Sequence, residues 1–332
     1  MHSKPVVATM IGDPCGIGPE VVVKSLVLDD IHALCRPLVV GSVESVQQTV
    51  DMLKYDVTVR RVTDVADVEG VGLDPAVIDV YDTGQLDPKF ITPAKANAEC
   101  GRASAAWLKE MEELALAGKV QATIMGPINT DALKMADKFD AVVGVEVGKT
   151  YLFLITGPLR VVHLTDHIPL RQVCDIISPD LVYKALRTIH DDFTRWGIPN
   201  PRIVVAGLNP HAYGEEDTRQ ITPGVEQAKA EGIDVTGPAP PDSVFRWCID
   251  DRYDVVLAMF HDQGHIAVKT WGFVGNCAMI LGTPYIHMSV AHGTAFDIVG
   301  KGIASHEMML TSMRHAASLG AGKGFYRETA AA

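Results

Sequence analysis

The stretch Asp254-Val-Val-Leu-Ala-Met-Phe260 is an apolar run typical of a buried β-strand, and His261-Asp-Gln-Gly264 follows it directly. Two other strand-like runs end on a histidine segment in the same way, residues 159–164 at Thr165-Asp-His167 and residues 202–207 at Leu208-Asn-Pro-His211. In an open α/β sheet, ligands bind beyond the carboxyl ends of the strands. One such histidine alone is typical of an ordinary loop, but three favour a divalent metal site with His167, His211 and His261 as ligands.

Strand-like and helix-like segments alternate along most of the chain, which is the pattern of an α/β fold with a largely parallel sheet. The predicted strands are residues 5–10, 37–41, 76–80, 121–126, 151–156, 159–164, 202–207, 254–260 and 278–281. The predicted helices are residues 18–28, 43–54, 94–117, 169–176, 179–196, 223–231, 241–250 and 307–319. Turn residues at Gly126-Pro127 and the stretch after Phe260 are the expected crossings between two lobes, formed by residues 1–126 with 261–332 and by residues 127–260.

The composition argues against several classes of protein. The chain has 332 residues and a net charge of −12, whereas nucleic-acid binders normally carry a basic stripe. No apolar run reaches the roughly 18–20 residues that span a bilayer, and the amino terminus lacks the apolar core of a signal peptide. The six cysteines are scattered without a C-x-x-C pair, as in a reducing compartment. We therefore expect a cytoplasmic protein that binds neither nucleic acid nor membrane.

Two glycine-rich segments are candidates for cofactor loops. Residues 11–20, Ile-Gly-Asp-Pro-Cys-Gly-Ile-Gly-Pro-Glu, follow the first strand and open a helix, where backbone amides can face an anion. The third glycine of the G-x-G-x-x-G fingerprint is missing, so the spacing fits a tight strand-to-helix turn equally well. Residues 292–304 are dense in glycine and polar groups and predict an ordered loop that approaches a cofactor, with a purely structural loop as the alternative.

Lys269 lies eight residues after His261, at the end of an apolar run, Ile266-Ala-Val-Lys269, that resembles a strand. Burial and a nearby metal cation would both disfavour its ammonium form, which suits proton transfer. The alternative is an ordinary surface lysine.

Together, these segments resemble the 4-hydroxythreonine-4-phosphate dehydrogenase family of pyridoxal phosphate synthesis over essentially the whole chain. The matching segments are residues 12–20, 126–129, 165–170, 207–212, 237–242, 260–264 and 292–295. The resemblance implies the two-lobed fold of isocitrate and isopropylmalate dehydrogenases, and a homodimer whose active-site cleft is completed by the partner subunit. Residues 1–126 and 261–332 would form the cofactor-side lobe, and residues 127–260 the lobe for metal, substrate and dimerisation.

The same resemblance implies roles for individual residues. It makes His167, His211 and His261 the metal ligands, with Zn, Mg, Mn or Co as the ion. Lys269 and Asn129 are expected to contact the substrate. The residues expected near NAD are Gly12, Asp13, Gly16, Gly18, His292, Gly293, Thr294, Ala295 and Asp297.

The chain departs from the family where the family holds a phosphate. Members that use a phosphorylated substrate carry a Gly-His-Thr segment after the Pro-x-Asn motif, but residues 137–149 are shorter here and contain no histidine. Ala278 stands at the position of a family asparagine, and His287, which we keep as a candidate substrate contact, at that of an arginine. These changes remove the groups best suited to binding a phosphate.

Two branches of the family therefore remain open for the substrate. The dihydrodiol dehydrogenases act on cis-dihydrodiols of terephthalate-type aromatic dicarboxylates. They look similar to this chain at the positions where it departs from the phosphate-binding members of the family. However, residues 237–242 and 293–298 look more like the branch that uses phosphorylated sugar acids.

Both branches share one chemistry, which predicts NAD-dependent and metal-dependent oxidation of a β-hydroxy acid with decarboxylation. Lys269 is the candidate for proton transfer, and Asp262 for orienting a neighbour or sharing the proton. One alternative is a metal-dependent hydrolase, which also uses histidines around an open metal position. The other is a catalytically silent homologue that binds a metabolite.

Overall fold

The computed structural model describes residues 4–27, 29–272 and 274–327. It has the predicted α/β architecture, in which most neighbouring strands are parallel. The chain forms two compact units, Met1–Val143 with Pro284–Ala332 and Gly144–Thr283. Within the described ranges, no helix is long and apolar enough to cross a membrane.

Strands and helices alternate through both units. The strands are β1 (Val6–Met10), β2 (Arg36–Val40), β3 (Thr58–Val62), β4 (Val77–Tyr81), β5 (Ala122–Met125), β6 (Tyr151–Thr156), β7 (Leu159–His163), β8 (Ile203–Ala206), β9 (Val235–Ala239), β10 (Val255–Ala258), β11 (Cys277–Leu281) and β12 (Ile286–Val290). The helices are α1 (Gly18–Leu26), α2 (Asp29–Leu34), α3 (Val43–Leu53), α4 (Ala98–Leu116), α5 (Thr130–Met135), α6 (Leu170–Ile176), α7 (Pro179–Arg195), α8 (Thr222–Ala230), α9 (Val244–Ile249), α10 (His261–Trp271) and α11 (Glu307–Gly320).

In the first unit the strands pair in the order β3-β4-β2-β1-β5-β12, and every neighbouring pair is parallel. β1 is Val-Val-Ala-Thr-Met with all five residues buried, because a parallel strand covered on both faces needs apolar side chains on both. Helix α4 packs on β1 and β5, and α11 packs on β1, β5 and β12. The loop of residues 11–20 therefore leaves the sheet from a central, well-packed strand.

In the second unit the strands pair in the order β11-β6-β7-β10-β8-β9. β6 runs antiparallel to β11 and β7, whereas β7, β10, β8 and β9 are parallel. Buried aliphatic side chains of these strands form the core, among them Leu159, Val161, Val204, Ala206, Val256 and Ala258. The carboxyl ends of β7, β10 and β8 consequently lie at one edge, and the three predicted histidine segments begin there.

The predicted strands and helices all occur, with ends that differ by a few residues. The helix predicted for 18–28 ends at Leu26, and residue 28 lies outside the described residues. The sequence did not predict β3, β9, β12, α2, α5 or α10. β3 has mostly polar, exposed residues and β9 contains Gly237-Pro238, so neither shows the continuous apolar run of a buried strand.

The unit boundaries differ from the expected lobes. The second unit begins at Gly144 and ends at Thr283, so residues 127–143 belong to the first unit and residues 261–283 to the second. The reason is that β11 pairs with β6 and α10 packs on β6 and β7, which keeps the chain after Phe260 in the second unit. His261 and Lys269 therefore share a unit with His167 and His211.

Candidate functional site

Two of the three predicted metal ligands lie together at the edge of the second sheet. The segments after β7 and β10 are joined by a hydrogen bond of 2.9 Å from the Thr165 hydroxyl to the Met259 carbonyl. The ring centroids of His167 and His261 lie 4.8 Å apart, and Asp166 completes a group whose ligand atoms lie within 4.8 Å of one another. Imidazole nitrogens and a carboxylate oxygen are ordinary ligands of divalent transition metals, so this group fits such an ion.

A carboxylate oxygen lies close to the Nδ1 atom of each of these rings. His167 Nδ1 lies 2.9 Å from Asp166 Oδ1, and His261 Nδ1 lies 2.7 Å from Asp262 Oδ1. The hydrogen bond to His261 is the main cause that lowers the pKa of the exposed Asp262 carboxyl. The hydrogen bond to Asp262 fixes the orientation of the His261 ring and leaves its Nε2 available to a metal, whereas the Asp166 oxygen beside His167 makes no hydrogen bond among the described residues.

Two further histidines extend this cluster, and the sequence did not mark them as metal ligands or catalytic residues. His265 stacks on His261 with ring centroids 3.6 Å apart, and the centroid of His163 lies 4.8 Å from that of His265. Burial lowers the pKa of His163 to about 3, and burial together with the charge of His261 lowers the pKa of His265 to about 4. Both rings are therefore neutral at pH 7 and add no positive charge beside a metal.

His211 is not part of this cluster. Its backbone has φ 56° within the 3-10 turn Pro210–Ala212, and its exposed ring lies 6.2 Å from that of Tyr213. In the part of the chain that the structure describes, the ligand group at this edge contains Asp166, His167 and His261 but not His211. His211 follows the neighbouring strand β8, so it lies at the same edge of the sheet without joining the group.

A buried carboxylate holds the loop that carries His211. Asp217 has no exposed surface, and its Oδ1 accepts the Leu208 N–H at 2.7 Å. Its Oδ2 accepts the Gly214 N–H and the Asn209 side-chain amide, both at 2.9 Å. The sequence did not indicate Asp217, because its hydrogen-bond donors come together only in the folded loop.

Lys269 lies on helix α10, and the expectation that it ends an apolar strand was wrong. The four-residue spacing places His261, His265 and Lys269 along one face of the helix. Lys269 is exposed, so the expectation that it is buried was wrong. Lys269 nevertheless lies on the same face of α10 as His261.

The two predicted cofactor loops meet in the first unit. The Ile17 N–H donates to the Thr294 carbonyl at 3.0 Å, and a Cβ added to Gly16 would lie 2.7 Å from Thr294 Cβ. Gly12 has φ +75°, and a Cβ there would lie 2.3 Å from the Pro127 carbonyl oxygen. Glycine is therefore required at positions 12 and 16, and the two loops form one continuous backbone surface.

The remaining predicted cofactor residues lie on or beside this surface. Asp13 is buried, its Oδ1 accepts the Cys15 N–H at 2.8 Å, and burial raises the pKa of its carboxyl. Gly18 opens helix α1. The others belong to the second loop, namely His292, Gly293, Ala295 and Asp297.

An ion pair that the sequence reasoning missed anchors the end of the second loop. Lys24 Nζ lies 2.7 Å from Glu20 Oε1 and donates to the carbonyls of Gly302 and Ala304 at 2.9 and 2.8 Å. The same Glu20 oxygen accepts the Ala304 N–H at 2.8 Å. Helix α1 thereby fixes the backbone that follows residues 292–298.

Asn129 and His287, the other predicted substrate contacts, also lie in the first unit. Asn129 caps helix α5, because its Oδ1 accepts the Ala132 N–H at 2.9 Å. His287 is buried in β12, with Nδ1 2.9 Å from the Thr123 hydroxyl oxygen.

Comparison with known proteins identifies the family. Residues 33–316 match the family model described as pyridoxal phosphate biosynthetic protein PdxA. The chain belongs to this family. Its named relatives are dehydrogenases, which supports an oxidoreductase that acts on a CH–OH group.

The similarity to relatives and to solved structures extends over almost the whole length of the chain. A Novosphingobium aromaticivorans protein, provisionally named a 4-hydroxythreonine-4-phosphate dehydrogenase, is 55% identical over 97% of each chain. A D-threonate 4-phosphate dehydrogenase of Salmonella typhimurium is 37% identical over 96% of this chain and 100% of its own. The structure of a 4-hydroxythreonine-4-phosphate dehydrogenase from Burkholderia phymatum has a TM-score of 0.84 at 33% identity, covering 98% and 100% of the two chains. A terephthalate 1,2-cis-dihydrodiol dehydrogenase from Burkholderia xenovorans LB400 has a TM-score of 0.69 at 27% identity, covering 95% and 98%.

Replacement of Gly264 tests how tightly the histidine cluster is packed. An alanine methyl at this position would lie 2.3 Å from His163 Nε2 and 2.7 Å from Val161 Cγ1. His163 is fully buried, and its Nδ1 contacts the Leu152 carbonyl at 3.1 Å, so the ring has little room to move. We expect Gly264→Ala to lower the free energy of unfolding by about 1–3 kcal/mol, measured by chemical denaturation. The control is Gly70→Ala, where nothing lies within 4 Å, and equal loss in both variants would contradict the packing.

Replacement of Asp217 tests the support of the His211 loop. In Asp217 both carboxylate oxygens accept hydrogen bonds from the loop. An asparagine replaces one of these acceptors by an NH₂ group, which would face N–H donors. We expect Asp217→Asn to lose about 2 kcal/mol of stability and to speed amide exchange at Leu208 and Gly214. The exposed Glu215→Gln is the matched control. Unchanged exchange at both amides would show that the loop does not depend on Asp217.

Proposed function

We propose that the protein is an NAD-dependent and divalent-metal-dependent dehydrogenase that oxidises and decarboxylates a β-hydroxy acid, as 4-hydroxythreonine-4-phosphate dehydrogenase does. The grouping of Asp166, His167 and His261 at the carboxyl edge of the second sheet is the observation that carries this proposal. His211 is proposed as the third histidine ligand, because it follows the neighbouring strand at this edge. When bound, the metal would lower the pKa of the substrate hydroxyl, and NAD would accept the hydride.

The proposed NAD site is the surface formed by residues 12–18 and 292–297. Its support is the contact of Gly16 and Ile17 with Thr294, together with the close backbone packing at Gly12 and Gly16, where no side chain fits. Close backbone approach and a helix that starts at Gly18 suit an anionic dinucleotide.

Three residues of this chain have proposed roles in positioning the substrate and moving its proton. Lys269 extends from the helix face that carries His261, and we assign it contact with the substrate and transfer of the hydroxyl proton. Asp262 holds Nδ1 of His261 and so orients that ring. Asn129 retains a side-chain NH₂ that can donate to a substrate oxygen, because its Oδ1 is already the acceptor for helix α5.

A homodimer with the active site at the subunit interface is part of the proposal. Its support in the second unit is a set of exposed apolar side chains on and near α10. Ile266 is 66% exposed and Trp271 is 48% exposed, and a partner subunit on this helix would cover both side chains. Cytoplasmic location stays a prediction from the scattered cysteines.

A second candidate substrate is a non-phosphorylated aromatic cis-dihydrodiol carboxylate of the terephthalate type. It is favoured by the absence of histidine from residues 137–149, by Ala278 and His287, and by the likeness to the Burkholderia xenovorans enzyme. A catalytically silent homologue that binds a metabolite is the remaining alternative.

The proposed activity is tested by NADH formation at 340 nm with Zn, Mn, Mg or Co, using 4-hydroxythreonine 4-phosphate, D-threonate 4-phosphate and terephthalate cis-dihydrodiol in parallel. We expect turnover of one substrate, release of CO2, and loss of activity on chelation. His261→Ala should lower kcat/KM by more than about 100-fold, because a metal ligand is removed. The control is His306→Ala, which lies outside the candidate site. Full activity after chelation or in His261→Ala would refute the metal site, and absence of turnover with bound NADH would favour the silent homologue.

A further inference from the structure

A cavity of about 690 Å³ lies within the first unit, beside helix α4 and strand β12. Half of its lining residues are apolar, among them Leu108 and Met111 from α4 and Ala141, Val142 and Val143 from the segment that replaces the family's phosphate motif. The volume lies in the range of small-molecule sites. Tyr285 and His287 supply polar groups to the wall.

His287 is the most informative group of this cavity. It is 4% exposed, and burial lowers its pKa to about 4, so the ring is neutral at pH 7. The Thr123 hydroxyl lies 3.2 Å from the Ile286 carbonyl and 2.9 Å from His287 Nδ1. Both hydrogen bonds form together only when Nδ1 carries the ring proton and donates it, because the hydroxyl has a single proton. His287 Nε2 is then an acceptor, and it has no hydrogen-bond partner among the described residues.

Two of the three cations that line the cavity are paired. Arg102 forms an ion pair with Glu99, and Lys109 Nζ lies 3.7 Å from Glu113. Burial and the nearby Glu112 carboxylate raise the pKa of Tyr285 to about 12, so Glu112 faces a neutral phenol.

Lys138 is the exception among the cations that line the cavity. It is exposed and makes no ion pair with any described residue, so its ammonium group is available to an anion. The exposed Asp140 also lines this wall, and it disfavours a ligand with a large negative charge.

We propose that this cavity binds a small carboxylic acid with an apolar body and a free hydroxyl group, whose hydroxyl donates to His287 Nε2 and whose carboxylate pairs with Lys138. A phosphate dianion is a poor fit, because its oxygens only accept hydrogen bonds and would face the lone pair of Nε2. The inference goes beyond the proposed function, since the cavity lies within the first unit, and it assigns this cavity a non-phosphorylated hydroxy acid as its ligand.

The test is calorimetric binding to the full chain, without NAD or metal, of 4-hydroxybenzoate, 4-methoxybenzoate and phenyl phosphate. We expect 4-hydroxybenzoate to bind at least about 10-fold more tightly than the other two, since only it donates a hydroxyl proton and carries a single negative charge. His287→Phe keeps a ring of similar size but removes the acceptor. It should weaken 4-hydroxybenzoate to the level of 4-methoxybenzoate and leave 4-methoxybenzoate unchanged.

Lys138→Met provides a second variant that does not disturb the core, because Lys138 is exposed. It should weaken both benzoates by about 3-fold to 10-fold, whereas Lys134→Met, an exposed lysine outside the cavity, should weaken neither. Equal affinity for the three probes, tightest binding of phenyl phosphate, or no effect of Lys138→Met would overturn the inference. If His287→Phe does not fold, the three probes and the lysine variants still test the inference.

Failure of this test and failure of the proposed function give different results. Binding is measured without cofactor, so a cavity that rejects 4-hydroxybenzoate leaves metal-dependent NADH formation intact. Conversely, binding of 4-hydroxybenzoate without NADH formation from any substrate would support the proposed cavity ligand and contradict the proposed dehydrogenase activity.

Discussion

Parallel pairing of β7, β10 and β8 is the constraint on which the candidate metal site depends. Because these neighbouring strands end at one edge, the segments that follow them converge without requiring any contact between the histidines themselves. The Gln263 side chain joins the ends of two strands, since it accepts the Met259 N–H at 2.7 Å and donates to the Gly207 carbonyl at 2.8 Å. The buried aliphatic core behind this edge makes it a rigid support for the side chains it presents.

The fold class and the location of the histidines were predictable because both follow from local patterns. Valine-rich runs of six or seven residues indicate buried parallel strands, and His167, His211 and His261 each follow such a run closely. Helix α10 was missed because Ile266-Ala-Val268 resembles a short apolar strand and a glycine lies in the second turn of the helix. That omission also concealed His265, whose stacking on His261 depends on the four-residue spacing of a helix.

The supports of the site were not predictable, because they pair residues that are distant in sequence or that lie in irregular loops. Lys24 and Gly302 are 278 residues apart, and nothing in either segment indicates the other. The unit boundaries depended on a similar long-range contact, the antiparallel pairing of β11 with β6. Family membership is now established by the comparisons, whereas the ligand set, the cofactor and the substrate stay proposals drawn from local geometry and resemblance.

The ion pair of Glu20 and Lys24 has a consequence for the dynamics of the first unit. Helix α1 begins in one glycine loop, and its Lys24 and Glu20 hold the backbone that follows the other, so the two loops are linked through the contacts of α1 with Gly302 and Ala304. The two loops should therefore behave as one cooperative unit of local unfolding. A ligand bound to either loop would shift that shared equilibrium and protect both from proteases, including the loop it does not touch.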